Sequence, residues 1–153
     1  MILEYLAKNL RHKLIIVQSD DQNAPLPEPL LDMMIPVDIG IQLSIELKDH
    51  LKSSHISGIA QEAITNIMRT SRIDLPEIGP GIVICNPGIL LEESLKINFR
   101  GFLENHSQNQ VLVLIWPGEI YDDTLFFLRQ NTGIPVSLKD LTYLIVDLDK
   151  EIL

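Results

Sequence analysis

The sequence predicts a three-layer α/β domain with a mostly parallel sheet. Short runs of consecutive apolar residues, at 14–17, 82–85 and 111–116, are typical of strands that are buried on both faces. Segments with helical spacing of apolar residues, at 57–72 and 91–107, lie between these runs. Because parallel strands need crossover connections, this alternation favours a sheet covered by helices on both sides.

The length and composition are those of one folded domain. The chain has 153 residues, of which 46% are hydrophobic and 22% charged, so it can bury a core and is not typical of a disordered protein. We therefore expect residues 1–153 to form a single α/β domain.

The charge balance excludes some classes of partner. The formal net charge is −9, which repels phosphate backbones and disfavours direct nucleic-acid binding. No apolar run reaches the roughly 18 residues of a membrane helix, and residues 1–13 do not resemble a signal peptide. Cys85 is the only cysteine, so no internal disulfide can form. These observations lead us to expect an acidic cytoplasmic protein that does not enter a membrane.

The sequence of residues 2–34 predicts two helices, a strand and a loop. Residues 2–12 have helical spacing, 13–18 form a buried strand, and 30–34 form a short helix. Between them, residues 19–29 are expected to be a loop, because three prolines there remove amide donors and disfavour helix.

Residues 35–53 allow two interpretations. Apolar residues alternate strictly from Val37 to Leu47, which is the pattern of one long half-buried strand. The alternative is a strand at 35–40 followed by a helix at 41–53, with Leu43, Leu47 and Leu51 on one face. Periodicity does not decide between them, and we favour strand followed by helix.

The second half predicts further alternation. A helix is expected at 57–72 and another at 91–107, with Glu92 and Glu93 in the first turn of the latter. Further strands are expected at 124–130 and 142–148, with Asp122 and Asp123 in a turn.

Ligands of such folds bind at the carboxyl ends of the strands, here residues 18–23, 85–88 and 116–119. A phosphate loop after the first strand needs glycines, a lysine and a Ser or Thr. Residues 18–31 contain no glycine and no lysine, and Asp20 and Asp21 stand where phosphate would lie. An intact phosphate loop is therefore excluded. We interpret the two aspartates as a solvated turn rather than a metal site.

The next strand end is also without catalytic groups. Nucleotide hydrolases usually place acidic residues there, to hold magnesium and to orient water. This strand ends at Cys85, Asn86, Pro87 and Gly88, none of which is acidic. Walker A and Walker B residues are both absent, which argues against an NTPase.

The middle of the chain resembles the small P-loop proteins of type 3 BREX phage-defence systems, the BrxF-like family. The resemblance runs from about residue 35 to 119 and is carried by the stretches VDIGIQLSIEL, CNPGILLEESLK and ENHSQNQVLVLIWPGE. The strand ending in Trp-Pro-Gly is the most specific of the three. The resemblance implies a P-loop NTPase-like fold and a place in a multi-protein antiviral assembly.

The chain departs from the family at the positions that would contact phosphate, metal or water. The phosphate loop expected at 18–26 is absent, and Cys85, Gly88 and Gln108 stand where the family has Asp, Glu and Arg. Scaffold positions agree with the family: Leu43, Ser44, Asn86, Ile89, Leu90, Leu95, Asn109, Trp116, Pro117 and Gly118. The resemblance thus implies a degenerate P-loop fold, a pseudo-NTPase.

Other groups that could carry chemistry have ordinary interpretations. Cys85 ends a buried strand, so we expect a small core residue rather than a nucleophile. His12, His50, His55 and His106 lack metal-ligand spacing and are expected at the surface. No catalytic, cofactor-binding or metal-binding residue is predicted, and no cofactor.

The leading hypothesis is a non-catalytic adaptor or structural subunit of a phage-defence complex. Its partners would be other proteins of that complex, and self-association is a further hypothesis. The expected contact surface is the former ligand edge, with Asp20, Asp21, Asn86, Trp116 and Glu119. Trp116 has two interpretations, stacking on a ligand or partner and packing at the core or rim, and we favour packing.

Two alternatives belong to other functional classes. One is a nucleotide- or metal-binding module or enzyme with an unorthodox site at the same edge. The other is an acidic inhibitor that occupies the site of a nucleic-acid-binding protein, which the charge of −9 motivates.

Overall fold

The computed structural model describes residues 2–127 and 135–148. The helices are α1 (Ile2–Ala7), α2 (Leu30–Met33), α3 (Ile39–Leu47), α4 (Ile56–Ser71) and α5 (Phe99–Gln108). Two short 3-10 helices span Pro87–Leu91 and Glu93–Leu95. The strands are β1 (Lys13–Gln18), β2 (Val37–Asp38), β3 (Ile73–Leu75), β4 (Gly79–Cys85), β5 (Val111–Trp116), β6 (Glu119–Tyr121), β7 (Thr124–Phe126), β8 (Pro135–Ser137) and β9 (Tyr143–Asp147).

The central sheet confirms the predicted α/β class with a mostly parallel sheet. Its order is β2-β4-β5-β1-β9, and each of these neighbouring pairs is parallel. The short strand β3 joins the start of β4 in an antiparallel hairpin. Strand β1 lies inside the sheet because it pairs with β5 on one side and with β9 on the other.

Helices flank both faces of this sheet, and alternate residues of each strand enter different cores. Residues 14 and 16 of β1 belong to the larger core, with α3, α4 and α5. Residues 15 and 17 belong to the smaller core, with α1 and α2. The connection from β1 to β2 runs over the face that α2 covers and goes from the β1 side of the sheet to the β2 edge. The connections from β2 to β4, from β4 to β5 and from β5 to β9 run over the opposite face and in the opposite direction. All the crossovers therefore share one hand, as the handedness rule requires.

The structure resolves the ambiguous stretch in favour of strand followed by helix. The strand is only Val37–Asp38, and α3 begins at Ile39. The side chain of Asp38 accepts a hydrogen bond from the backbone N–H of Ile41 at 2.8 Å, which is a helix N-cap. The alternation misleads because α3 is apolar on its outer side as well: Ile41 and Ile45 are 57% and 61% exposed.

The predicted helix at 91–107 is wrong in its first half. The chain forms two 3-10 turns there, and Lys96 takes a left-handed conformation with φ 54° that ends them. Helix α5 begins only at Phe99, where the side chain of Asn98 caps the backbone N–H of Gly101. Glu92 and Glu93 therefore lie outside the first turn of α5, and their predicted role in that turn is also wrong.

A second, smaller sheet follows β5. Strands β6, β7 and β8 pair in antiparallel order, with the predicted turn at Asp122 and Asp123 between the first two. Of the strand predicted at 124–130, residues Thr124–Phe126 are observed, and 128–130 lie outside the described residues. At the other end of the chain, α1 ends at Ala7 instead of residue 12. Within the described residues, no helix combines the length and the apolarity of a membrane span.

Candidate functional site

The topology places a crevice between the carboxyl ends of β1 and β5. The connection that leaves β1 crosses one face of the sheet towards β2, and the one that leaves β5 crosses the other face towards β9. Adjacent parallel strands whose connections leave on opposite faces form a topological switch point, where open α/β sheets bind their ligands. We call the segments at this end, residues 18–23, 85–88 and 116–119, the C-terminal edge.

Hydrogen bonds within the chain use the backbone N–H groups that follow β1. The N–H of Ser19 donates to the carbonyl of Trp116 at 3.0 Å. The N–H of Asp21 donates to Ser19 Oγ at 3.2 Å, and the N–H of Asn23 donates to Asp21 Oδ1 at 2.9 Å. A phosphate loop needs such amides to point at the anion, so these three are not arranged for phosphate.

Two glutamines connect the loop after β1 to the neighbouring strand ends. Gln18 Nε2 donates to the carbonyl of Gly118 at 2.9 Å, which joins β1 to the turn after β5. Gln22 Oε1 accepts from the backbone N–H of Asn86 at 2.7 Å, and its Nε2 donates to the carbonyl of Ser19 at 3.1 Å. Side chains of the protein itself therefore bridge the strand ends at this crevice, and in this sense we call the edge closed.

The N-terminus of α3 reaches the same edge and is also occupied. Asp38 Oδ1 accepts from the N–H of Ile41 and, at 3.1 Å, from Asn86 Nδ2. A helix N-terminus attracts anions, and here the carboxylate of Asp38 takes that position. Gly40 is required for this close approach, because a Cβ at that position would lie 2.5 Å from Asn86 Nδ2 and 2.8 Å from the Asn86 carbonyl oxygen.

The charge of the C-terminal edge is negative. Asp20, Asp21 and Glu119 are exposed, and Asp147 ends the adjacent strand β9. The three segments of the edge contain no lysine, arginine or histidine. Such an edge repels phosphate and attracts basic groups.

Trp116 occupies a different place from the other predicted contact residues. Its side chain is fully buried, stacks on Phe99 with ring centroids 5.9 Å apart, and contacts Phe127 edge to face at 5.8 Å. Its Nε1–H donates to the carbonyl of Phe126 at 3.2 Å, which ties the smaller sheet to the central one. The favoured interpretation of Trp116, packing, agrees with this position. Its inclusion in the contact surface needs correction, because a buried indole cannot meet a partner.

Cys85 is a buried free thiol in the smaller core, as expected. Burial, and secondarily the carboxylate of Asp38, raises the pKa of the Cys85 thiol. A raised pKa keeps the thiol protonated and therefore weakly nucleophilic.

The histidine prediction holds only in part. His50 and His55 are exposed, but His12 is 2% exposed and both of its ring nitrogens lack a hydrogen-bond partner. The prediction of a surface His12 is therefore wrong, because the residue precedes β1 directly and is covered by the fold. Among residues 2–127 and 135–148, no group of three or more His, Cys, Asp or Glu side chains could hold a metal ion.

Sequence reasoning missed three residues that shape this edge: Gln18, Gln22 and Asp38. Asp38 carried a usable signal, because an aspartate directly before a helix is a common N-cap. The glutamines carried none, since their roles depend on the path of a proline-rich loop.

Comparison of the chain with models of protein families, with curated proteins and with solved structures found no match.

Proposed function

We propose that this protein is a non-catalytic adaptor with a degenerate P-loop-type fold, acting in a cytoplasmic multi-protein phage-defence assembly. The observation that supports the proposal is the closed C-terminal edge. At this switch-point crevice Ser19 Oγ, Gln22 Oε1 and the Asp38 carboxylate accept the backbone N–H hydrogen bonds that a bound anion would otherwise accept. The resemblance to the BrxF-like family supplies the biological setting.

The closed edge argues against nucleotide hydrolysis on chemical grounds. Phosphoryl transfer relies on positioned cations and amides that stabilise the charge on the transferred group. The edge offers acids instead of cations, and the amides of Ser19, Asp21 and Asn86 already have acceptors. A scaffold that has the crevice without these groups suits protein–protein contact better than catalysis.

The surface proposed for that contact is the edge without Trp116. Asp20, Asp21, Asn86 and Glu119 are all exposed there. Three of the four are carboxylates, so the partner surface would be basic, with charge complementarity setting the orientation and the rate of association.

A thermal melt with and without Mg·ATP and Mg·GTP tests the non-catalytic part. A nucleotide that binds only the folded state, at a concentration a hundredfold above its Kd, would raise the free energy of unfolding by roughly 2.7 kcal/mol. We expect no change in Tm with either nucleotide. A reproducible rise of several degrees would contradict the pseudo-NTPase reading.

A pull-down with proteins encoded in the same defence system tests the contact surface. The combined variant Asp20→Lys, Asp21→Lys and Glu119→Lys reverses the charge of the edge and should lose the partner. Glu62→Lys is the matched control, because Glu62 is exposed on α4, away from the edge. Equal capture by both variants would exclude this surface.

A further inference from the structure

The outer face of α3 is apolar and uncovered. Ile41 and Ile45 are 57% and 61% exposed, one helical turn apart, while Leu43 and Leu47 fill the core on the opposite side. Leu51, in the turn after the helix, is 68% exposed. Apolar residues are scattered on many surfaces, but two adjacent isoleucines on one stripe form a patch that is typical of contact sites.

A groove runs beside this stripe. One cavity of about 280 Å³ is lined by Ile41, Ser44, Ile45, Asn86 and Ile89, with Gly40 at its end. A second, of about 360 Å³, continues it from Ser44 and Ile89 towards Leu51. The α3 surface therefore has a ridge, Ile41 and Ile45, beside two adjoining cavities that share Ser44 and Ile89.

The charges at the two ends of the stripe are opposite. Asp38 lies at the N-terminal end of α3 and Lys48 directly follows its last residue, Leu47. Each residue advances about 100° around a helix, so Ile41, Ile45 and Lys48 fall on one side of α3. The carboxylate of Asp38 lies at the Ile41 end of that side, because it accepts a hydrogen bond from the Ile41 N–H. These four residues are also symmetrical along the sequence, since Ile41 and Ile45 flank Leu43 by two positions and Asp38 and Lys48 flank it by five.

We propose that α3 is the interface of a two-fold symmetric homodimer, in which the helices of two copies pack antiparallel. In this arrangement Ile41 of one copy meets Ile45 of the other, and Asp38 of one copy lies near Lys48 of the other. The ridge of each copy enters the groove of its partner, which is the usual way in which helices pack. An isologous interface requires a self-complementary surface, and the stripe has that property in both shape and charge.

The charge pattern favours a second copy over a different partner protein. A patch for the basic partner proposed above would be acidic, whereas the stripe is apolar at its centre with one charge of each sign at its ends. The dimer does not depend on the adaptor function, and its test uses the protein alone.

The test is the molar mass in solution, measured by light scattering and by sedimentation velocity over a wide concentration range. The wild type should show twice the mass of one chain. Two variants introduce like charges at the interface: Ile41→Glu with Ile45→Glu, and Ile41→Lys with Ile45→Lys. Each alone should weaken the dimer at least about a hundredfold, because charged side chains replace the apolar area that the interface buries and repel their counterparts in the other copy.

Mixing the two variants in equal amounts gives the sharpest readout. The antiparallel pairing brings glutamates of one chain against lysines of the other, so the mixture should form a one-to-one heterodimer although neither variant dimerises alone. Leu31→Glu, at an exposed leucine on α2 across the sheet, should leave the dimer intact. A monomeric wild type, or a mixture that stays monomeric, would overturn the proposal.

Discussion

The C-terminal edge and the outer face of α3 are neighbours that differ in every property relevant to binding. The edge is polar and acidic, and intramolecular hydrogen bonds of Gln22 and Asp38 close it. The α3 face is apolar and open, with Ile41 and Ile45 exposed to solvent. The position where this topology ordinarily binds a ligand is therefore occupied, while a nearby surface keeps the characteristics of an interface.

The contrast bears on the proposal of a degenerate nucleotide site. A degenerate nucleotide site that merely lost its catalytic groups would leave an empty crevice with unpaired amides. Here the amides of Ser19, Asp21, Asn23 and Asn86 have acceptors within the chain. The edge is part of the framework of the fold, which fits the proposal of a protein that acts through its surfaces.

Removal of the Trp116 side chain should have the largest effect on stability. Trp116→Ala should lower the free energy of unfolding by about 3–5 kcal/mol, because a fully buried indole leaves a cavity. Trp116→Phe keeps a ring against Phe99 but loses the bond to the Phe126 carbonyl and the volume of the second ring, so its cost should be smaller, about 1–3 kcal/mol. Denaturant unfolding measures both. A cost below 1 kcal/mol for Trp116→Ala would contradict the role of this side chain in joining the two sheets.

Gly40 lies in α3 and packs against Asn86 of the C-terminal edge. Its substitution should separate the cost of a clash with Asn86 from the gain in helix propensity. Gly40→Ala should cost about 1–3 kcal/mol, since the new Cβ would overlap Asn86 and force the edge to move. Gly58→Ala is the matched control in α4, because no atom lies within 4 Å of the added Cβ. It should stabilise by up to about 1 kcal/mol through helix propensity. Equal effects of the two substitutions in thermal melts would show that α3 does not press on Asn86.

Substitution of Gln22 tests the closure of the edge and should have a smaller effect on stability. Gln22→Ala removes the acceptor of the Asn86 N–H and should cost about 1 kcal/mol. It should also speed amide hydrogen exchange at Asn86. Gln61→Ala, at an exposed position of α4, should change stability by less than about 0.5 kcal/mol. Unchanged exchange at Asn86 would mean that the glutamine does not close the crevice.

The paired polar groups of the edge contrast with His12, whose buried ring nitrogens lack partners. Burial, followed by Arg11, lowers the pKa of His12; Arg100 acts in the same direction, and Glu104 opposes it. Because the folded pKa lies below the ordinary value of 6.5, protonation favours the unfolded chain. The penalty should be absent above pH 6.5 and grow as the pH falls below it, until the folded pKa is passed.

The His12→Leu variant should therefore lose less stability than the wild type between neutral pH and pH 5.5. At neutral pH it should be equally stable or slightly more stable, because an unpaired buried polar group is replaced by an apolar one. His106 remains in both proteins and titrates with a pKa that burial also lowers, so the comparison isolates His12. Parallel stability curves for the two proteins would contradict a buried, unpaired imidazole.

The sequence predicted the central sheet well because strands buried on both faces leave continuous apolar runs. Its periodicity could not decide residues 37–47, because Ile41 and Ile45 make the outer side of α3 apolar and the helix therefore alternates like a strand. It failed at 91–98, where a left-handed Lys96 interrupts a helical pattern. The topology placed Asp20, Asp21, Asn86 and Glu119 at one edge as predicted, whereas the closure by Gln22 depends on loop geometry that no periodicity reveals.

An NMR titration of the ¹⁵N-labelled protein with Mg·ATP tests the central claim most directly. The amide signals of residues 19–23 and 86–88 report on the crevice itself. The closed-edge account predicts that these signals stay in place at all nucleotide concentrations, as do those of α4 far from the edge. Saturable shifts confined to residues 19–23 and 86–88 would show that the crevice still binds nucleotide, and would contradict the account.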